Sequence, residues 1–127
     1  MDVLKQCLAI GIAGSLGALA RFGVAHVCRQ LFATPFPVGT LVINVSGSFV
    51  LGWFLTVAGD RVPMSEPTRL AVAVGFVGAY TTFATFVHET TVLADGGRTG
   101  AAALNVGLSL ALGLAAVRLG AACGRWF

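Results

Sequence analysis

The chain has 127 residues, of which 57% are hydrophobic and 10% charged, and a formal net charge of +3. Soluble domains carry about 25% charged residues, so the composition excludes an ordinary soluble domain and points to an integral membrane protein. The charge is too small and too scattered for a nucleic-acid partner, and its cations belong instead at lipid headgroups. The length predicts one domain spanning residues 1–127.

Four apolar segments, at roughly residues 3–28, 38–59, 69–94 and 99–122, each exceed the about 20 residues that a spanning helix needs. Pro35, Pro37, Pro63 and Pro67 all fall between them, and Asp95-Gly-Gly-Arg-Thr-Gly100 forms the last connection. These connections read as short turns. The prediction is therefore an all-α membrane protein with four transmembrane helices and both termini on one side. Lys5, the apolar run after it and Ala18-Leu-Ala20 imitate a signal peptide. The apolar character nevertheless continues to about Cys28 and further spans follow, so the expectation is a retained first helix. The three cysteines, Cys7, Cys28 and Cys123, lack metal-ligand spacing, and a structural role is expected of them.

In the first helix Gly11, Gly14 and Gly17 lie on or near one face, where small residues let membrane helices approach closely. Arg21 follows. It either snorkels toward the end marked by Arg29 or sits in a vestibule as a cation that attracts anions. The second helix begins after Pro37. Thr40, Asn44 and Ser48 are spaced four apart and form one polar stripe, with Gly47 beside it. Such a stripe serves either interhelical hydrogen bonding or a pore wall.

The third helix starts behind Ser65-Glu66-Pro67, an N-terminal signature with an acid in the first turn. Ala71, Gly75 and Ala79 make a small-residue seam. The run Gly75-Phe-Val-Gly-Ala-Tyr-Thr-Thr-Phe-Ala-Thr-Phe86 then reads as a poor uninterrupted helix, because its glycines, threonines and aromatics lower helix propensity. Thr81 and Thr82 can also bond their own backbone in competition with the helical ladder. A helix broken near the bilayer midplane is expected here. Broken backbone in a membrane is tolerated only where protein or a water-filled cavity surrounds it, and freed carbonyls at that depth are a recurring ion site. Glu89 is the only carboxylate deep within an apolar segment. His88 beside it reads as structural or interfacial.

In the fourth helix Asn105 and Ser109 are again four apart, with Gly113 on the next turn. Two helices thus carry uncharged stripes of hydroxyl and amide groups, a pattern suited to a pore wall that donates hydrogen bonds without holding its ion tightly. The cation bias between the two ends is slight. Lys5, Arg61, Arg69, Arg118 and Arg125 lie toward the termini, against Arg29 and Arg98 at the other end. Because orientation follows such bias, insertion both ways round is conceivable, and with it an antiparallel homodimer. No phosphate loop, zinc signature or nucleophile–base motif occurs, so an enzyme is not expected.

Three motifs together resemble the small fluoride channel family known as Fluc or CrcB. They are Gly14-Ser-Leu-Gly17-Ala-Leu-Ala-Arg21-Phe, then Gly39-Thr-Leu-Val-Ile-Asn44-Val-Ser-Gly47, then Gly75 through Phe86 continuing to Glu89. Their order and spacing cover essentially the whole chain. The resemblance implies an antiparallel dual-topology homodimer with two fluoride pores in a bacterial-type inner membrane. It also implies a structural sodium ion at the dimer centre, held by the backbone carbonyls of Gly78 and Thr81. By position, Phe83 and Phe86 contact fluoride and Asn44 is the pore amide. Thr40, Thr85, Asn105, Ser109 and Glu89 belong to the polar track, and Arg21 to the vestibule. Ala79 and Ala84 depart from the glycine and serine common in the family. From spacing alone the two phenylalanines read as packing. As a pore pair they offer a positive ring edge to a dehydrated anion.

The competing reading is a proton-coupled small multidrug-type exporter, also four-helical and of dual topology. It calls for an embedded carboxylate at a shared substrate site, and the first helix has none. A passive subunit of a larger complex would explain the glycines but not the Thr and Phe pattern at the break.

Overall fold

A computed structural model describes residues 3–126. It is all helical, and four stretches are long and apolar enough to cross a membrane, at Val3–Leu31, Val38–Gly59, Glu66–Asp95 and Thr99–Arg125. The first two form α1 (Val3–Leu31) and α2 (Val38–Asp60). The third is composite, running through α3 (Glu66–Leu70), a π-helical segment (Ala71–Val77), α4 (Gly78–Tyr80) and α5 (Phe83–Asp95). The fourth is α6 (Thr99–Arg125). The prolines lie where expected, with Pro37 ahead of α2 and Pro67 in the first turn of α3 behind Ser65. The α5–α6 turn closes on Gly97, whose φ of 76° suits glycine, while the Arg98 N–H bonds the Leu93 carbonyl as helix C-terminal turns do.

The helices pair as α2 with α6 and α1 with the third span, and the two pairs meet through α1–α2 and α5–α6 contacts. Glycine decides both principal pairings. On α2, Gly52 lies under the Val117 carbonyl, and on α6, Gly120 lies under that of Phe49. A Cβ at either place would run into backbone. In the other pair Gly17 sits against the Phe76 carbonyl, and a Cβ on Gly75 would come within 2.8 Å of the Ile10 carbonyl oxygen. Of the glycine face expected on α1, Gly14 and Gly17 are used, whereas Gly11 has nothing within 4 Å of its Cβ position.

Large apolar side chains stay exposed along the outside. On α1 they include Leu4, Leu8, Ile12, Leu16 and Leu19, spaced as one helical face. With four spanning helices this exterior is what a bilayer requires, and the chain is a multi-pass membrane protein. Among the cysteines, Cys28 is buried and Cys7 and Cys123 are exposed, all three as free thiols.

Candidate ion pathway

The third span winds wide before it stops. Across Ala71–Val77 the turns are π-helical, and the Gly78 N–H reaches back five residues to the Ala73 carbonyl. Such turns inside α-helices recur at functional positions. Helical conformation then ends at Tyr80. Thr81 (φ −78°, ψ 159°) and Thr82 (φ −151°, ψ 118°) are extended, and α5 starts at Phe83.

Four carbonyls, those of Gly78, Ala79, Tyr80 and Thr81, lose their helical donors at this interruption, because Thr81 and Thr82 are extended. In a continuous α-helix the Gly78 carbonyl would accept from the Thr82 N–H, and the Thr81 carbonyl from the Thr85 N–H. Here the Thr82 N–H donates to Asn44 Oδ1 at 2.8 Å, and the Thr85 N–H donates to the Thr82 hydroxyl at 3.3 Å as an N-cap. Gly78 and Thr81 are thus among the residues whose main-chain oxygens are released, with Ala79 and Tyr80 between them. Thr81 itself is committed upstream, since both its N–H and its hydroxyl donate to the Val77 carbonyl at 3.0 Å.

Asn44 braces the interruption from α2. Its Nδ2 donates to the Thr82 carbonyl at 2.9 Å while its Oδ1 accepts from the Thr82 N–H, so the two peptide units flanking the Thr82 Cα hold the whole amide plane. Two turns of the polar stripe are accounted for in the same way, with the Ser48 hydroxyl donating to the Asn44 carbonyl at 2.7 Å. A cavity of about 270 Å³ opens beside them, lined by Asn44, Ser48, Thr81, Thr82 and Phe83 among others. Phe83 is 77% exposed, and its ring lies 5.9 Å from that of Phe86 at a tilt of 46°. Thr85 joins the same corner by accepting from the Thr82 hydroxyl at 3.0 Å.

A second cavity, about 410 Å³, lies at the end of the molecule formed by the α1–α2 and α5–α6 turns. Thr40 and Glu89 line it, together with His88, Arg29 and Arg98. The stripe on α2 therefore runs from Thr40 in this mouth to Asn44 and Ser48 at the interruption. Glu89 Oε2 is buried without a hydrogen-bond partner.

On α6, Asn105 is almost fully buried and its Nδ2 donates to the Thr90 hydroxyl at 2.9 Å. The Thr90 hydroxyl donates in turn to the Phe86 carbonyl at 2.7 Å. Asn105 thus ties α6 to α5. One turn further, Ser109 Oγ is buried with no partner. Arg21 is half-buried on α1 and lines neither cavity. Of the two family departures, Ala79 is half-buried next to Gly14 and Ala84 is exposed.

The structure brings Asn44, Thr81, Phe83 and Thr85 to one corner and Thr40 and Glu89 to another, with Gly78 exposed at the interruption. Sequence reasoning missed Ser46 and Tyr80, whose hydroxyls meet at 2.8 Å across α2 and α4. The available signal was that Tyr80 is the only tyrosine and lies mid-segment, where a buried phenol needs a partner.

Residues 8–121 match the family described as CrcB-like protein, Camphor Resistance (CrcB). A protein named fluoride-specific ion channel FluC from Acidobacterium capsulatum is 47% identical over 115 residues, which is 91% of this chain and 92% of that protein. One of the same name from Chloroflexus aurantiacus is 38% identical over 125 residues, 98% of each chain. A longer one, from Methylococcus capsulatus, is 49% identical over 117 residues, 92% of this chain but 51% of its own length. A match across nearly every residue of the four spans places this chain in the CrcB family.

Proposed function

We propose that the chain is a fluoride-selective channel subunit of the cell inner membrane that lets fluoride leave passively and so lowers its cytoplasmic level. The observation that carries the reading is the helix interruption at Thr81–Thr82, braced by Asn44 and opening on a cavity with Phe83, in a chain whose relatives are named fluoride-specific ion channels. Asn44 uses one N–H on Thr82, and its second N–H is the donor for an anion. Phe83 lines the same cavity with Phe86 beside it, and aromatic ring edges carry the positive character that suits an anion. The unpartnered Ser109 hydroxyl is a further donor along α6, and Thr40, Thr85, Asn105 and Glu89 complete the polar track. Arg21 serves as the vestibule cation.

The functional unit is an antiparallel homodimer of dual topology. The slight cation bias supports insertion both ways round, and Phe83 and Gly78 stand uncovered in the single chain, ready for a second copy. The released carbonyls of Gly78 and Thr81 fit a hard cation, which favours oxygen ligands, and a sodium ion shared by two copies would hold their interruptions together. Cross-linking of paired cysteines tests the assembly, and exclusively parallel neighbours would overturn it.

Fluoride enters cells as its neutral acid and is trapped as the ion, so a selective passive path is enough for export. An inside-negative potential of about 100 mV favours exit of one anion by about 2.3 kcal/mol, roughly a forty-fold gradient. Membership in this family supports the channel and not the proton-coupled exporter. The experiment is fluoride-electrode efflux from potassium-loaded liposomes containing only this protein, with chloride for comparison. A channel waits on valinomycin to relieve charge build-up. Efflux that ignores valinomycin and collapses with a proton uncoupler would mean an exporter.

A further inference from the structure

We infer that Ser46 and Tyr80 are a positioning pair that sets the cation site at the interruption, an inference resting on the proposal that the Gly78 and Thr81 carbonyls hold a cation. Tyr80 is the last helical residue before the extended pair. Its hydroxyl lies 2.8 Å from Ser46 Oγ, and the direction of that bond is fixed by what else Ser46 does. Ser46 has one hydroxyl proton, and its Oγ lies 2.7 Å from the Val42 carbonyl and 3.2 Å from that of Ile43. That proton is committed to the helix's own backbone, so the phenol donates and Ser46 accepts.

The ring is held on its flank as well as at its tip. A Cβ on Gly47 would approach Tyr80 Cδ1 to 3.2 Å and collide with the Thr81 methyl, so only glycine lets α2 lie this close. Phe76, one turn earlier, stacks on Tyr80 with centroids 6.2 Å apart and planes 6° apart. The downstream side of the interruption is fixed separately by Asn44 on Thr82. One turn of α2 therefore grips the chain on both sides of Thr81. The peptide carrying the Thr81 carbonyl is the one whose N–H, that of Thr82, Asn44 holds, and with Tyr80 held on its upstream side it has little freedom to turn.

A hydroxyl pair that only satisfied two polar groups would affect folding and leave ion dependence alone. A pair that aims carbonyls makes a different prediction, because loosening Tyr80 lets the released oxygens disperse and weakens cation binding without altering the anion's path. The expected result for Tyr80→Phe is a rise in the sodium concentration giving half-maximal fluoride efflux by about three- to tenfold, the scale of one hydrogen bond. Maximal efflux at saturating sodium should match the wild type.

Ser46→Ala removes the acceptor instead of the donor and should give the same shift. The double variant should be no worse than either single one, since both delete the same bond. The measurements are efflux from liposomes and the sodium-dependent shift in melting temperature of the purified protein, both over a sodium series with N-methylglucamine replacing sodium at constant ionic strength, for wild type, both single variants and the double variant. If wild-type efflux ignores sodium, the cation reading fails and the inference with it. If wild-type efflux follows sodium but Tyr80→Phe keeps the same midpoint, the cation reading stands and the positioning pair is overturned. Loss of efflux at every sodium concentration in both single variants, with folded protein, also overturns it, since that would place the pair in the anion's path.

Discussion

Toward α6, α2 presents Gly52 to the Val117 carbonyl and receives Gly120 and Gly124 against Phe49, Trp53 and Thr56. Toward the third span, the same helix presents Asn44, Ser46 and Gly47 to Tyr80, Thr81 and Thr82. The first contact joins two continuous helices whose ladders are unbroken. Its strength comes from close approach and dispersion, as packing between membrane helices generally does. The second contact joins a continuous helix to an interrupted one, and backbone groups freed in a bilayer must find partners in protein or water. Polar side chains belong on that side because the ladder there is open. The comparison teaches that α2 separates close backbone packing from polar bracing of an interrupted helix, one face for each.

Substitutions that add bulk to the glycine seam should have the largest effect and should act on folding. At Gly120 a Cβ meets the backbone of Phe49 and Trp53, with Trp53 N at 2.9 Å. Backbone cannot step aside as a flexible side chain would, so Gly120→Ala is expected to cost about 3 kcal/mol, the upper end of overpacking. Thermal unfolding in detergent, read with size-exclusion profiles, checks it. A folded, wild-type-like Gly120→Ala would show that the seam tolerates separation.

The next effect is large in flux and smaller in stability. Asn44→Asp keeps an acceptor for the Thr82 N–H but, when ionised, sets a second oxygen against the Thr82 carbonyl and offers an anion no donor. A donor to an ion is worth about 1.5–3 kcal/mol, and the added charge repels fluoride, so efflux should fall by about 100-fold or more in protein that still assembles. Wild-type efflux from this variant would remove Asn44 from the pathway and leave it a brace only.

Much of this division was legible from the chain itself. The four spans follow from apolar length, and the Thr40–Asn44–Ser48 stripe follows from the spacing of four. Gly14 with Gly75, and the interruption at Thr81–Thr82, follow from small residues and from threonines that compete with the ladder. Spacing places residues on a face but does not say what lies opposite. That is why the bond of Asn105 to Thr90 emerged only with α5 against α6. The π-helical turns of Ala71–Val77 were illegible for a related reason. They accompany the pressing of Gly75 onto Ile10 and Ala13, a contact between residues more than sixty positions apart.

Ser109 refines the comparison, because it is polar, buried and unpartnered while lying on α6. A buried hydroxyl with no partner carries a desolvation cost of about 1–3 kcal/mol, so Ser109→Ala should leave stability unchanged or raise it by about 1 kcal/mol. If the hydroxyl serves the passing anion, efflux should nonetheless fall roughly three- to tenfold, one hydrogen bond's worth. Stability and flux moving in opposite directions is the signature of a group kept for transport. Falling stability with unchanged flux would make Ser109 a structural residue after all.

The smallest expected effect comes from a glycine of α1 that no packing contact uses. Gly11 lies in line with Gly14 and Gly17, yet an added Cβ has nothing within 4 Å. Replacing an open mid-helix glycine by alanine stabilises a helix by about 0.5–1 kcal/mol, so Gly11→Ala should raise the melting temperature slightly and leave efflux alone. Gly17→Ala is the matched control, because its Cβ would strike the Phe76 carbonyl. The pair separates packing inside one chain from packing between chains. Within the chain Gly11 is free to change, so a Gly11→Ala protein that unfolds early would mean that a second copy's backbone lies against this turn of α1, and the glycine face would then be an assembly surface from Gly11 onward.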